Sequence, residues 1–224
     1  MADTGTATPR ERYRAQIRAE IKEHAWQQIA TTGASALSLN AIAKQMGMSG
    51  PALYRYYANR DELITELIRD AYRSLADTLR STAAEAAEGS GEEGGAGLAG
   101  LAHAVRDWAL RDPQRYLLIY GTPVPGYHAP DDITAISSQI MTLLLDAASA
   151  APPRHPESPL DHHLAARRAW AGDHPAPPAV LHRALSFWTR IHGVLSLELA
   201  GHFAGMGFDP ALLFAAELDD LLTC

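Results

Sequence analysis

The sequence contains a single cysteine, Cys224, and no long uninterrupted run of apolar residues. One cysteine cannot form an internal disulfide, which excludes a small secreted scaffold held together by disulfides. No stretch reaches the roughly 18 apolar residues of a membrane helix. The first residues, MADTGTATPRER, also lack the apolar core of a signal peptide. We therefore expect a cytoplasmic globular protein that has no membrane partner.

Strand patterns and catalytic motifs are also missing. No segment alternates apolar and polar residues for long, so the chain is predicted to be all-α. Because the sequence has neither a glycine-rich phosphate loop nor a GxSxG motif, no catalytic residues are expected. Four histidines, His155, His162, His163 and His174, are the remaining metal candidates. They lack HxxxH and HExxH spacing, and two adjacent residues diverge on a helix, so no metal or other cofactor is expected.

Charge is distributed unevenly along the chain. The net charge of −7 taken alone argues against a nucleic-acid partner. Residues 1–60, however, carry eight Lys or Arg against four Asp or Glu, a net charge of +4. Residues 61–224 carry 11 basic and 22 acidic side chains, a net charge of −11. This asymmetry predicts a phosphate-facing N-terminal module on an acidic body that repels DNA.

Helical spacing predicts an N-terminal DNA-binding domain over residues 10–72, preceded by a disordered arm at residues 1–9. The first helix is followed by a short second one with Ser38 as its N-cap. Gly47 then turns the chain into a third helix, which begins with a proline in its first turn. Residues 38–57 thus form a predicted helix-turn-helix.

The rest of the chain is predicted to be a second, entirely helical domain. A long helix over residues 59–87 leads into it, and apolar spacing at helical period continues to the C-terminus. Residues 88–100 are rich in glycine and are expected to be mobile. Residues 150–178 are rich in proline, and most of them are expected to be mobile, with a possible short helix at residues 160–171. The second domain, residues 73–224, is therefore predicted to be a helical ligand-binding and dimerisation domain.

The third helix is expected to present its outer face to the major groove. With Leu53 and Tyr57 pointing inward, that face consists of Gly50, Pro51, Ala52, Tyr54, Arg55 and Tyr56. Arg55 can donate two hydrogen bonds to a guanine, and Pro51 or Ala52 can pack on a thymine methyl group. Groups suited to phosphate contacts belong to Lys44, Ser49, Tyr54, Tyr56 and Arg60. A generic three-helix unit with a tyrosine-rich surface is the alternative.

The run LSLNAIAKQMGMSGPALYRYYANRDELI, residues 37–64, resembles the DNA-binding domain of TetR-family transcriptional regulators. The resemblance extends from Ala15 to about Tyr72. It implies DNA contacts at Ser38, Ser49, Gly50, Pro51, Ala52, Tyr54, Arg55, Tyr56 and Arg60. Tyr57 stands where the family usually has phenylalanine, and Arg60 where lysine is common. Both residues keep the expected physical roles, which are core filling and neutralisation of a phosphate.

The resemblance also implies a homodimer, because a single reading surface of this size binds DNA weakly. The last two helices are the expected dimer surface, with Leu185, Leu195, Leu199, Leu213, Leu218 and Leu222 as its apolar residues. The alternative is that these leucines belong to the core of the subunit itself. The segment from Trp188 to Gly193 further resembles a C-terminal subgroup of the family that is named for a Trp-His-Gly signature.

The helical body also has residues suited to an apolar pocket with a few polar groups. The candidates are Trp108, Tyr116, Tyr120, Met141, Trp188 and His192, of which Trp108, Tyr120 and His192 are preferred. Each of them could also be an ordinary core residue.

Together these features predict a homodimeric, ligand-responsive transcriptional repressor. Its expected partners are a pseudo-palindromic double-stranded operator and an unidentified small-molecule effector. Two alternatives belong to other classes of protein. One is a DNA-binding adaptor whose acidic body recruits a protein, and the other is a helical enzyme that uses the C-terminal pocket.

Overall fold

The computed structural model describes residues 8–89, 94–127, 130–150 and 158–223. Within these ranges the chain forms only helices, which confirms the all-α prediction. The α-helices are α1 (Pro9–Thr32), α2 (Leu39–Gln45), α3 (Gly50–Leu53), α4 (Arg60–Gly89), α5 (Gly94–Arg111), α6 (Pro113–Tyr120), α7 (Asp131–Ser149), α8 (Pro159–Ala166), α9 (Pro178–Leu199) and α10 (Pro210–Thr223). Of the predicted arm, residues 1–7 lie outside the described residues, and so do His155 and Cys224.

The first of two compact units contains α1, α2, α3 and the first turns of α4, together with residues 123–127. A capping box begins α1, where the Thr8 hydroxyl accepts from the Glu11 amide and the Glu11 carboxylate accepts from the Thr8 amide. The two reciprocal bonds satisfy donors that a helix N-terminus leaves open. The core of the unit consists of fully buried side chains, among them Ile21, Ile42, Leu53, Tyr57, Leu63, Ile64 and Leu67.

The second unit contains the rest of α4 and the helices α5 to α10. Its core is a single cluster of buried apolar residues, which includes Leu75, Leu79, Trp108, Tyr116, Leu144, Phe187, Ile191 and Phe214. None of the helices in the described residues has the length and apolarity that crossing a bilayer requires.

The boundary between the units falls between Ile68 and Arg69, within α4, whereas residues 72 and 73 were the expected boundary. Residues 123–127, from the loop after α6, group with the first unit. No turn or linker marks the boundary, because α4 continues through it as one helix of 30 residues. The apolar spacing of α4 therefore gives no local sign of the change.

Two segments that were expected to be mobile contain regular structure in their described parts. Helix α5 begins at Gly94 despite its glycines, because Leu98 and Leu101 are buried in the core and stabilise it. Residues 158–178 contain α8 and a 3-10 helix, in the range where a possible short helix over residues 160–171 was expected. Residues 90–93 and 151–157 lie outside the described residues.

Helix α8 is held by hydrogen bonds to the carboxylate of Asp161. Its Oδ2 accepts from the Ser158 hydroxyl at 2.6 Å, and its Oδ1 contacts Nδ1 of His182 on α9 at 3.0 Å. The bonds from Ser158, followed by the contact with His182, lower the pKa of Asp161 to about 2. The carboxylate thus joins α8 to α9, a link that composition did not reveal.

Candidate nucleic-acid interface and buried aromatic cluster

The turn between α2 and α3 is fixed by backbone hydrogen bonds. Helix α2 begins at the N-cap Ser38, whose hydroxyl accepts from the Ala41 amide at 3.3 Å. At its other end Gly47 has a φ of 65°, a conformation that favours glycine. The Met48 amide donates to the Ala43 carbonyl at 2.8 Å, and the Gly47 amide donates to the Lys44 carbonyl at 3.2 Å. This pair of bonds is a Schellman motif, which sets the angle at which the chain leaves α2.

Residues 49–57, here called the reading segment, follow this turn. Its helical part, α3, is only four residues long, and the chain continues as hydrogen-bonded turns rather than as a regular helix. Leu53 and Tyr57 are fully buried and anchor the segment. Pro51, Tyr54 and Arg55 are exposed, whereas Gly50, Ala52 and Tyr56 are half-buried. Three residues of the outer face inferred from the sequence, Pro51, Tyr54 and Arg55, are therefore accessible to DNA.

Two arginines of α1 hold the C-terminal end of the reading segment. Arg18 donates to the Tyr56 carbonyl at 2.9 Å, and its guanidinium lies 4.3 Å from the ring centre of Tyr57. The same side chain pairs with Glu66 of α4 at 3.8 Å. Arg14 adds a longer bond of 3.5 Å to the Arg55 carbonyl. Both arginines donate to carbonyls that have no amide of a following helical turn to accept from. The sequence did not indicate this role of Arg18, because its partners are distant in the chain.

Replacing Arg18 with methionine is expected to lower operator affinity about tenfold. The change removes a charge-assisted hydrogen bond, and such bonds contribute roughly 1.5–3 kcal/mol. The matched control is Arg12→Met, because Arg12 is an exposed residue of the same helix and the change removes the same charge. Titration of a labelled operator with both variants checks the prediction. An equal loss from both variants would mean that only charge matters and that Arg18 does not position the reading segment.

The remaining predicted DNA contacts differ in how free their side chains are. Lys44 and Ser49 are exposed. Ser38 is half-buried, and its hydroxyl caps α2. The Arg60 guanidinium donates to the Ala34 carbonyl at 3.2 Å and lies 3.9 Å from the Asp61 carboxylate. Arg60 was expected to neutralise a phosphate, but part of its donor capacity is used within the first unit.

Four of the six predicted pocket residues form one aromatic cluster in the second unit. The cluster consists of Tyr116, Tyr120, Trp188 and His192, contributed by α6 and α9. The His192 ring centre lies 4.0 Å from that of Trp188 and 4.3 Å from that of Tyr120. The Tyr116 hydroxyl contacts His192 Nδ1 at 2.8 Å and the Ser196 hydroxyl at 2.9 Å. Ser196 was not singled out from the sequence, although it lies one turn after His192.

Burial shifts the protonation equilibria of this cluster towards neutral forms. It lowers the pKa of His192 to about 4 and raises that of Tyr116 to about 12. Burial also raises the pKa of Tyr120 well above its usual value. The three groups are therefore uncharged at neutral pH and can act only as hydrogen-bonding groups.

The two other pocket candidates lie outside the aromatic cluster. Trp108 is 4% exposed, and its Nε1 donates to the Ser74 hydroxyl of α4 at 3.1 Å. Its polar atom is therefore paired within the protein. Met141 is half-buried on α7 and packs against the apolar core. Neither residue contributes a free polar group to a ligand site.

The leucines expected at a dimer surface fall into two groups. Leu195 and Leu218 are 0% and 5% exposed and belong to the core of their own subunit, so they are not available as surface residues. The other four, Leu185, Leu199, Leu213 and Leu222, are half-buried. Two further leucines of the same helices are more exposed, Leu197 at 45% and Leu212 at 70%.

The histidines considered as metal ligands do not converge in the part of the chain that the structure describes. His162 and His163 are exposed neighbours on α8. His174 Nε2 contacts the Asp146 carboxylate at 3.0 Å, which joins the segment before α9 to α7. Among the described residues, no three His, Cys, Asp or Glu side chains are grouped as metal ligands would be.

Comparison with known proteins identifies relatives over nearly the whole chain. Residues 21–67 match the family model of bacterial regulatory proteins of the tetR family. Residues 98–221 match a tetracyclin repressor-like C-terminal domain. An HTH-type transcriptional regulator of Mycobacterium tuberculosis, Rv1816, is 35% identical over 97% of this chain and 95% of its own length.

Solved structures agree with this result. A crystal structure of the regulatory protein SCO4313 is 67% identical, covers 97% of this chain and 100% of its own, and superposes with a TM-score of 0.85. A bacterial regulatory protein in the tetR family from Rhodococcus RHA1 is 17% identical over 92% of this chain and 95% of its own, with a TM-score of 0.61. The second likeness concerns the fold alone.

Proposed function

Because the chain belongs to the TetR family of bacterial transcriptional regulators, we propose that it is a repressor that binds its operator as a homodimer and is released by a small molecule. The observation that carries the proposal is the reading segment, which is anchored by two fully buried residues and exposes Pro51, Tyr54 and Arg55. Since operator DNA lies in the cytoplasm of a bacterium, we also propose that the protein acts there.

Arg55 is the proposed base-reading residue, and Lys44 is a proposed phosphate contact. A guanidinium fits the two acceptor atoms of guanine in the major groove, whereas a lysine contacts phosphates without regard to sequence. Both side chains are exposed and belong to the first unit, on either side of the Gly47 turn. The two residues therefore form a matched pair. Loss of Arg55 should change the DNA sequence preference, whereas loss of Lys44 should change only the affinity.

The experiment is a selection of bound sequences from random DNA, carried out with the wild type and with each variant. Arg55→Ala is expected to relax the preference at one position of each half-site and to cost about 1–3 kcal/mol on the selected operator. Lys44→Ala is expected to leave the preferred sequence unchanged and to weaken binding to all DNA. Equal losses on operator and random DNA from Arg55→Ala would contradict the base contact.

The proposed dimer places one reading segment in each of two major grooves. In such arrangements the half-sites lie roughly 34–36 Å apart or a little more, and the operator has the symmetry of the protein. The exposed apolar residues of α9 and α10, together with the half-buried Leu185, Leu199, Leu213 and Leu222, support a second copy of this chain as the partner. An isolated subunit would leave Leu212 70% exposed.

Release by an effector requires that the effector favour a conformation that binds DNA less well. Helix α4 contributes residues to both units, so we propose it as the element through which a change in the second unit reaches the first. Linkage then makes DNA weaken effector binding by the same factor by which the effector weakens DNA binding.

The adaptor without a small-molecule ligand is the second candidate. It is favoured by the direct ring contacts of the aromatic cluster, whose side chains pack on one another. In that case the acidic second unit would recruit a protein, and Tyr120 and His192 would be structural. The two candidates differ in whether a small molecule binds at these two residues, which can be measured directly. The relatives that are 35% and 67% identical are described as regulators and do not support the enzyme alternative.

A further inference from the structure

Two polar atoms of the aromatic cluster are buried and have no hydrogen-bond partner among the described residues. They are the hydroxyl of Tyr120 and Nε2 of His192. A buried polar group without a partner costs roughly 1–3 kcal/mol, so proteins seldom retain one that has no use. Here two occur on rings in direct contact, with 4.3 Å between their centres.

Hydrogen bonds inside the cluster determine which of these atoms can donate. The Ser196 hydroxyl can donate to the Tyr116 oxygen, which leaves the Tyr116 proton for His192 Nδ1. The Tyr116 hydroxyl also lies 3.3 Å from the His192 carbonyl, so we assign its proton to the nearer acceptor, Nδ1 at 2.8 Å. The neutral imidazole therefore carries its proton on Nε2. Nε2 and the Tyr120 hydroxyl are then two unused donors on rings in direct contact.

The rings that carry these donors are packed against other aromatic rings. Tyr72 packs on Tyr120 with 6.0 Å between ring centres, and Trp188 packs edge-on against both Tyr120 and His192. The described ring contacts and hydrogen bonds of the pair involve no ionised side chain. Burying an anion beside them would be costly, whereas a neutral acceptor pairs with both donors without that cost.

We propose that the Tyr120 hydroxyl and His192 Nε2 bind the effector, and that the effector is a neutral, largely apolar molecule with a carbonyl-type oxygen acceptor. The inference rests on the proposed ligand-responsive function and adds the chemistry of the ligand. The half-buried Trp188, whose ring covers both residues, must move aside when the acceptor enters. The oxygen then accepts from both donors while the apolar body packs on the rings.

Three probes of similar shape test this assignment on the full chain: acetophenone, α-methylstyrene and benzoate. Acetophenone carries a neutral carbonyl, α-methylstyrene replaces its oxygen with CH₂, and benzoate replaces the methyl ketone with a carboxylate. Ligand-observed NMR titration is expected to give acetophenone at least tenfold tighter binding than either of the others. In Tyr120→Phe the advantage over α-methylstyrene is expected to disappear.

The control variant is Tyr127→Phe, which removes another buried hydroxyl that has no hydrogen-bond partner in the described part of the chain, this one in the first unit. It is expected to leave the binding of all three probes unchanged. Tyr120→Phe is also expected to raise the thermal unfolding midpoint by about 2 °C or more, because it removes an unsatisfied buried group. A lowered midpoint would show that the hydroxyl has a structural partner and would overturn the proposal.

Other results would also overturn it. Equal binding of acetophenone and α-methylstyrene would mean that the donors are not used, and tightest binding of benzoate would mean that the effector class is anionic. Absence of binding by all three probes at millimolar concentration would remove the cluster as a ligand site. Operator binding is measured in parallel. If a compound released the operator equally well from the wild type and from Tyr120→Phe, the assignment of the effector site would fail, whereas the proposed function would stand.

Discussion

Replacing Gly193 with glutamate is expected to convert the proposed dimer to a monomer and to lower operator affinity about 100-fold or more. Gly193 is an exposed residue in the interior of α9, and a Cβ built there meets no atom of its own subunit within 4 Å. A glycine at such a position costs a helix roughly 1 kcal/mol relative to alanine. Packing within the subunit therefore does not explain why residue 193 is a glycine. A close approach by a second copy of the chain would explain it.

The expected loss follows from the geometry of the proposed dimer. Gly193 shares an exposed face of α9 with Thr189 and Leu197, which lie one turn before and one turn after it. A carboxylate on this face would be buried against the partner, opposite the same charge in the symmetric copy. Without the dimer, two reading segments no longer bind as one unit, and each alone has a small contact surface.

Light scattering coupled to gel filtration measures the subunit number, and titration of a labelled operator measures the affinity. Gly193→Ala is the conservative variant and is expected to remain dimeric. Ala135→Glu is the charge control, because Ala135 is an exposed residue of α7. A dimeric Gly193→Glu protein with unchanged operator affinity would place the interface elsewhere.

Local patterns were sufficient for most of the helices. The N-cap Ser38, the turn at Gly47 and the apolar spacing of α4 are all features that a short window of sequence contains. The first turns of α5 and the bounds of α8 were harder, because the glycine and proline content of these segments favours loops. Burial of Leu98 and Leu164 in the core outweighs that local preference.

Individual residues of the candidate sites could be predicted from the sequence, but the contacts between them could not. Tyr116, Tyr120, Trp188 and His192 were singled out individually, yet their contacts join α6 to α9, where Tyr116 and Ser196 are 80 positions apart. Arg18 and Tyr56 are likewise 38 positions apart. Pairings at such distances depend on tertiary packing, so one sequence contains no periodic signal for them.

Removing one partner of the Arg106–Glu198 pair is expected to lower the free energy of unfolding by about 3–5 kcal/mol. The Arg106 guanidinium lies 2.8 Å from the Glu198 carboxylate, and the two side chains are only 10% and 14% exposed. The guanidinium also lies 5.2 Å from the ring centre of Phe214, so it joins α5, α9 and α10. Arg106→Met leaves the Glu198 carboxylate buried and uncompensated, and this cost dominates the loss.

Two comparisons separate the cost of an unpaired Glu198 carboxylate from the general effect of losing an arginine. Arg80→Met removes the exposed pair with Asp77, which should change stability by less than about 1 kcal/mol. The double variant Arg106→Met/Glu198→Leu should recover most of the loss, because it leaves no unpaired buried charge. Urea unfolding at one fixed protein concentration measures five proteins, namely the wild type, Arg106→Met, Glu198→Leu, the double variant and Arg80→Met, since the stability of a dimer would depend on concentration. If the double variant were as unstable as the sum of its single changes, the two residues would not be energetically coupled. The instability would then come from lost packing around Phe214.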